Sequence, residues 1–240
     1  YFKDRQVMRG TETDDGWDPA KPPVLTDRHG NPYYGTILEH LLLQNLTAFY
    51  EVGEHNHIRL RNADWNDALD MAPDRGESVA FTAAYAANME DLADMIGHMA
   101  DKFNTDSIEI AKEMGILLAD DINLYNNAGK KKELLDDYCR SCYSGISGKK
   151  IRISCKKVIM SLKNKAQWIK NHIRESEWIA AEENLGWFNG YYDNNGNKVE
   201  GVFGDNVRMM LTGQVFTIMS GTATSKQVKE IISAADKYLY

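Results

Sequence analysis

Between Arg61 and Asp70 the chain reads RNADWNDALD, which sets three carboxylates, Asp64, Asp67 and Asp70, around an indole, Trp65. Carboxyl groups can give a proton to a departing oxygen or hold an attacking water, and an indole offers a flat apolar face to the C–H groups of a sugar. The group is followed by the turn residues Ala72 to Gly76 and by a long apolar-periodic segment that begins at Glu77. Pro73 and Gly76 forbid one continuous helix across the region. It therefore reads as a loop between two helices, free to present several polar side chains to a cleft. Such a loop can hold a sugar.

Elements able to position that loop flank it on both sides. Thr36 caps a helix with Glu39 three residues on, and Ile37, Leu41, Leu42, Leu46, Phe49 and Tyr50 recur at helical spacing until Gly53. Behind the loop, Val79 to Phe103 reads as one long alanine-rich helix that packs closely on its neighbours, and Ile108 to Ile122 as the next, capped by Asn104, Thr105 and Asp106. Further helices are expected at 131–143, from about Ser154 to Glu177, at 211–220 and, capped by Thr224, at 225–238. An Asn-Gly turn at Asn195-Gly196 between Tyr191 and Val199 marks a small β-hairpin near 187–203. The first 35 residues, rich in Pro, Gly and Asp, form an irregular connector in which Trp17 sits beside Asp15 and Asp18. The pattern is mainly α and suits a helical barrel or solenoid of antiparallel neighbours.

Composition bounds the function. The 240 residues are 43% hydrophobic and 26% charged, ordinary for a folded domain, and the net charge of -7 disfavours nucleic acid. A basic block from Lys130 to Arg174, with Lys131, Lys149, Lys150, Lys156 and Lys157, has few aromatics and reads as a solvated helix face. Cys139, Cys142 and Cys155 are too few for a disulfide scaffold, and the single C-x-x-C lacks the second pair a zinc site needs, so no metal or cofactor is expected. His55 and His57, with no carboxylate fixed beside them in the sequence, read as loop histidines rather than a metal pair. Few cysteines, no apolar run of bilayer length and no signal-peptide pattern point to the cytoplasm.

Asp64-Trp65-Asn66-Asp67 followed by Gly76-Glu77-Ser78-Val79 resembles the inverting glycoside phosphorylases of glycoside hydrolase family 94, the cellobiose, chitobiose and β-oligoglucan phosphorylases. The resemblance extends to Thr36–His40, to Trp187–Gly196 and to the glutamine-containing stretch Leu211–Gly221, and is weakest from Lys130 to Ser154. It implies that residues 36–240 are part of an (α/α)6-barrel catalytic domain. It further implies reversible phosphorolysis of a β-glucoside or β-oligoglucan to α-glucose-1-phosphate, with inorganic phosphate as co-substrate. Matched residue by residue, Asp67 is the general acid and Trp65 and Asp64 contact the sugar at the cleaved linkage. Asn62-Ala63 stand where the family carries Gly-Gly, and the family's phosphate ligands have no counterparts. The chain thus reads as a central fragment that carries the acid, from a longer protein for which a homodimer is compatible.

The residues make chemical sense in those roles. Inversion requires one protonated carboxyl on the leaving oxygen and a nucleophile on the opposite face of the ring, and a phosphate anion needs no second carboxylate to activate it. Burial beside an indole and near other carboxylates keeps a proton on Asp67. Asp64 and Glu77 can accept hydrogen bonds from sugar hydroxyls, although Glu77 at a helix start equally serves the helix dipole. One alternative is an inverting hydrolase in which Asp64, Asp70 or Glu77 holds water, at a carboxyl separation of about 6.5 to 9.5 Å. Another is a non-catalytic carbohydrate-binding domain in which the aspartates cap turns and Trp65 is core.

Overall fold

The computed structural model describes residues 4–5, 26–61, 72–142 and 145–239. Two long helices form the spine: Val79–Phe103, here α2, and Cys155–Ser176, here α5. Small residues Ala83, Ala86 and Ala93 of α2 let the two axes approach, while Met89 and Ile96 interleave with Val158, Leu162, Ala166, Ile169 and Ile173 of α5. Each such apolar side chain contributes roughly 1.5–3 kcal/mol on burial. Helix α1, Ile37–Tyr50, lies across α2 and against α4, Ala128–Cys142, and adds Leu42, Leu46 and Phe49 to the same core. Between them run a 3-10 helix, Lys112–Leu118, and a single turn α3, Ile122–Tyr125. Helices α6, Leu211–Met219, and α7, Ser225–Tyr238, close the chain.

Several sequence expectations are met with their causes visible. The Thr36 hydroxyl accepts from the Glu39 amide, Ser154 from Lys157, and Thr224 and Gln227 form a reciprocal capping box. Helix α2 starts and ends where the periodicity does, with Ser78 as its N-cap and Asn104 in the left-handed conformation that stops it. The Asn195-Gly196 turn is formed, with Gly196 at φ +78° and the Asp193 carboxylate accepting from the Asn195 and Asn197 amides.

The expectation of an (α/α)6 helical barrel is overturned. Among the described residues, eight helical segments are interleaved with five small antiparallel sheets, a mixed α and β architecture. The clearest departure is 108–122, expected as a helix. Its first part is strand β5, Ser107–Ala111, paired with β6, Lys150–Ser154, so that Ile108 faces Ile153 and Ile110 faces Ile151. The run Ser-Ile-Glu-Ile alternates with period two, burying both isoleucines and exposing Glu109, and that alternation outweighs the weaker helical spacing farther on. Two further pairs were not expected as strands of their own sheets: Trp178–Glu182 with Leu185–Phe188, turned by Asn184 at φ +62°, and Gly201–Phe203 with Asn206–Arg208.

In the basic block Lys149, Lys150, Lys156 and Lys157 are exposed, as a solvated face requires, whereas Lys131 and Lys165 are not. Lys131 is buried with its ammonium 3.9 Å from the Phe49 ring centre and 4.0 Å from that of Trp168. Lys165 is buried too and donates to the Ala119 carbonyl at 2.6 Å, the Ser161 hydroxyl at 2.7 Å and the Tyr125 hydroxyl at 3.1 Å. Among the described residues no helix is long and apolar enough to cross a membrane. Most of the expected connector, Trp17, Asp15 and Asp18 included, lies outside the described residues, while Tyr34–Gly35 at its end pairs antiparallel with Asp4–Arg5.

Candidate functional site

Residues 62–71, and with them Asp64, Trp65, Asp67 and Asp70, lie outside the described residues, whereas the segments that flank them, up to Arg61 and from Ala72, are described. Two short antiparallel strands, β3 (Ile58–Arg59) and β4 (Glu77–Ser78), pair Ile58 with Ser78 and Arg59 with Glu77. The Leu60 amide continues the ladder to the Gly76 carbonyl at 2.9 Å, and the Gly76 amide turns back to the Ala72 carbonyl at 3.1 Å. The segments on either side of the motif are thus joined at Leu60 and Gly76. Gly76 is required there, because any Cβ would overlap Ala72 and come within 2.9 Å of Leu60. Leu60 and Ala72 pack with Ala80 and Tyr191 in a second, smaller apolar cluster at that junction.

The returning leg is clamped from outside. Asn194, in the hairpin turn, accepts with Oδ1 from the amides of Asp74 at 2.9 Å and Arg75 at 2.8 Å, and donates with Nδ2 to the Asp74 carboxylate at 3.2 Å. Arg59 donates to the Asp74 carbonyl at 2.6 Å, and Arg75 reaches the Glu54 carboxylate at 3.0 Å. On the outgoing leg Arg61, at φ +47°, pairs with Glu51. Strand β9, Tyr191–Tyr192, joins β4 as the third strand of the sheet, so the hairpin that carries Asn194 springs from the same framework.

Around strands β3 and β4 lies a chain of acids and histidines that the sequence did not reveal as a unit. Glu77 is fully buried, and its Oε1 accepts from the His55 amide at 3.0 Å while lying 2.8 Å from His55 Nδ1; its Oε2 accepts from the His57 amide at 2.9 Å. Glu77 thus braces the 53–57 turn, and Ser78, not Glu77, caps α2. Gly53 makes room for it, since a Cβ at that position would collide with the Glu77 carboxyl. His57 is fully buried with Nε2 3.1 Å from Glu177, whose carboxylate also accepts from the Tyr192 hydroxyl at 2.8 Å and Asn189 at 3.0 Å, with Lys198 at 3.4 Å. The two histidines therefore do have fixed carboxylates, supplied from 22 and 120 positions away.

Electrostatics follow from these contacts. Burial works against the Glu177 carboxylate, but the hydrogen bond and charge of His57, with Lys198 and Asn189, outweigh it and hold Glu177 well below the usual carboxylate range. Burial and the neighbouring His57 push His172 down to about 4. His172 is thus neutral near pH 7, and its Nε2, 2.8 Å from the His55 carbonyl, acts as the donor. Under the second apolar cluster, burial pushes Glu200 up to about 8 although it accepts from the amides of Gly190 at 2.8 Å and Met210 at 2.9 Å. Gln214, from the stretch that resembled the family's glutamine-containing helix, is buried and bonds both polar groups of the Phe188 backbone.

Among the described residues no group of three or more His, Cys, Asp and Glu is placed to hold a metal ion, and Cys139, Cys142 and Cys155 are free thiols. Chemically the described arrangement is a rim of ion pairs and backbone hydrogen bonds that borders residues 62–71 on both sides. No protein-family model matches the chain, and no curated protein matches it.

Proposed function

We propose that the chain supplies the acid-bearing loop of an inverting glycoside phosphorylase, acting on a β-glucoside or β-oligoglucan and yielding α-glucose-1-phosphate. Supporting this reading is one observation above the others: the Asp64-Trp65-Asn66-Asp67 segment is inserted between two paired strands whose junction is closed at Leu60 and Gly76 and clamped by Asn194. An excursion so pinned is the form in which a loop holds catalytic side chains reproducibly against a sugar. Asp67 gives its proton to the leaving oxygen, Trp65 stacks on the ring, Asp64 accepts from a hydroxyl and inorganic phosphate attacks the opposite face. The reading rests on the motif and its flanking strands and not on a barrel.

The burial of Glu77 removes one of the three carboxylates that a hydrolase could use to hold water. Both of its oxygens already accept hydrogen bonds inside the protein, so it is not free to activate water. A phosphate nucleophile is already anionic and needs no such base. The test is phosphate release from α-glucose-1-phosphate with a panel of glucose and oligoglucan acceptors, run on the full-length protein and its Asp67→Asn form. Release that disappears in Asp67→Asn supports the proposal and identifies the acceptor. A folded protein that hydrolyses or merely binds β-glucans, with no release for any acceptor, refutes it.

A further inference from the structure

We infer that the cavity enclosed by residues 28–29, the 3-10 helix, α4 and the 147–149 turn is a binding site for a small organic oxyanion, a dicarboxylate or a phosphate monoester. The site is separate from the motif, since none of its lining residues belongs to 51–61 or 72–78. It holds about 510 Å³, inside the span of roughly 300–1,000 Å³ that small-molecule sites occupy. Three cationic side chains line it, Arg28, Lys112 and Lys149, brought together from three distant stretches of the chain.

Backbone hydrogen bonds fix where those cations stand. Strands β5 and β6 end with Ala111 opposite Lys150, and the ladder runs one step further through the Lys112 amide, which donates to the Lys149 carbonyl at 2.9 Å. The two lysines are thereby set opposite one another, an arrangement in which like charges repel. Arg28 is drawn to the same place because its amide donates to the Ile146 carbonyl at 3.1 Å and the Ile146 amide donates to the Thr26 carbonyl at 3.0 Å. Gly145, at φ +95°, permits that approach, since a Cβ there would come within 2.8 Å of the Asp27 carbonyl oxygen.

The protein leaves this positive charge unmatched. Among the described residues no side-chain hydrogen bond or ion pair is made by Arg28, Lys112 or Lys149. Exposed lysines elsewhere do find acids: Lys132 pairs with Asp136, Lys163 with Asp94 and Lys237 with Glu182. The acids nearest the cavity are engaged otherwise. Glu113 accepts from the Ser147 amide at 2.8 Å and turns its second oxygen into the protein, Asp137 pairs with Arg140, and Asp27 accepts from the amides of His29 at 2.8 Å and Asn31 at 2.9 Å. In a chain of net charge -7, a concavity with three uncompensated cations is a local attractor for anions.

The lining also suits the body of such a ligand. A guanidinium meets a carboxylate or phosphate through two parallel hydrogen bonds, while each ammonium adds a charge-assisted one. Ile116 presents an apolar surface on which a carbon skeleton can rest, and the Ser141 and Ser147 side chains complete the wall.

The test titrates the protein with succinate and with glycerol 3-phosphate, using chloride at matched ionic strength as the control. Binding is followed by calorimetry and by NMR of the backbone amides. The expected result is saturable binding of one or both organic anions, with shifts concentrated in 28–29, 112–116 and 147–149 and absent with chloride; the tighter ligand identifies the headgroup. Affinity should fall at least about tenfold in Lys112→Met/Lys149→Met and in Arg28→Gln, the size of a lost hydrogen bond to a charged group. In Lys156→Met/Lys157→Met, which removes the same charge from exposed positions outside the cavity, it should stay within about twofold. Thermal unfolding verifies the fold of each variant. Absence of saturable binding by either anion overturns the inference, as does an equal loss in the two double variants or an equal response to chloride, both of which mark diffuse attraction to surface charge.

Discussion

Asn194 and Asp74, 120 positions apart in the chain, are joined by two hydrogen bonds: the Asp74 amide donates to Asn194 Oδ1 at 2.9 Å, and Asn194 Nδ2 donates to the Asp74 carboxylate at 3.2 Å. Together with the Arg75 amide bond this is the tie that fixes the returning leg of the motif loop to the hairpin. Asn194→Ala removes all three acceptor and donor contacts at an exposed position, so the cost to global stability is modest, about 0.5–1.5 kcal/mol. Its effect on the loop is larger in relative terms. Amide exchange at Leu60 and Gly76 should accelerate about tenfold more than exchange in α2. Equal acceleration in both places would show that the clamp does not act locally.

Glu177 anchors the other end of the same framework, and acid should reveal it. Its folded pKa lies below that of the unfolded chain, so its contribution is complete above the ordinary carboxylate value of about 4.3 and is lost as pH falls below it. Glu177→Gln cannot titrate, and its urea midpoint should therefore fall less steeply than that of the native protein between about pH 4.5 and pH 2. Near pH 7 the variant leaves His57 and Lys198 without their partner and should be destabilised by roughly 3–5 kcal/mol, the cost of breaking a buried pair. Parallel acid limbs for the two proteins would refute the role given to Glu177.

What the sequence disclosed and what it hid divide along the range of the interactions. Caps such as Thr36 with Glu39, and the turn Asn195-Gly196, are made by residues three or fewer positions apart, and they stood where the local pattern put them. The pairing of Ser107–Ala111 with Lys150–Ser154 depends on partners 39 to 47 positions away, and its period-two signal was shorter than the apolar run in which it lay. The same distance hid the acids behind the loop. His55 and His57 looked unpartnered because Glu77 and Glu177 reach them only through the fold, and the buried lysines looked like surface because a charge run ordinarily is one. Asp64, Trp65 and Asp67 lie outside the described residues, and what the structure adds is the pair of strands on either side of them.

Those buried lysines give an alkaline signature. Burial pushes Lys165 down to about 7, and burial together with the Lys165 charge holds Lys131 well below the ordinary lysine value. A basic group whose folded pKa is lowered binds fewer protons folded than unfolded across the interval between the two values. Stability must therefore rise with pH from about 7 toward the unfolded value of about 10.4. One such group contributes up to about 1.4 kcal/mol per pH unit in that window. Lys165→Met should reduce the slope of unfolding free energy against pH from 7 upward, whatever it does to the absolute value. An unchanged slope would mean that Lys165 keeps an ordinary pKa.

A second demanding packing contact in the site is between Gly53 and Glu77. A Cβ on residue 53 would overlap the Glu77 carboxyl, which is fully buried and already bonded through both oxygens, so the acid cannot swing aside without abandoning His55 and His57. Gly53→Ala should thus cost more than the roughly 1–3 kcal/mol of ordinary overpacking, because it also unmakes hydrogen bonds to a buried carboxylate. Double substitution separates the two effects. In Gly53→Ala/Glu77→Gly the steric conflict is gone, so if overlap is the cause, the pair should be more stable than the sum of the single changes predicts, by about 0.5–3 kcal/mol. Strict additivity in urea unfolding would mean that residue 53 is sensitive for a reason other than its contact with Glu77.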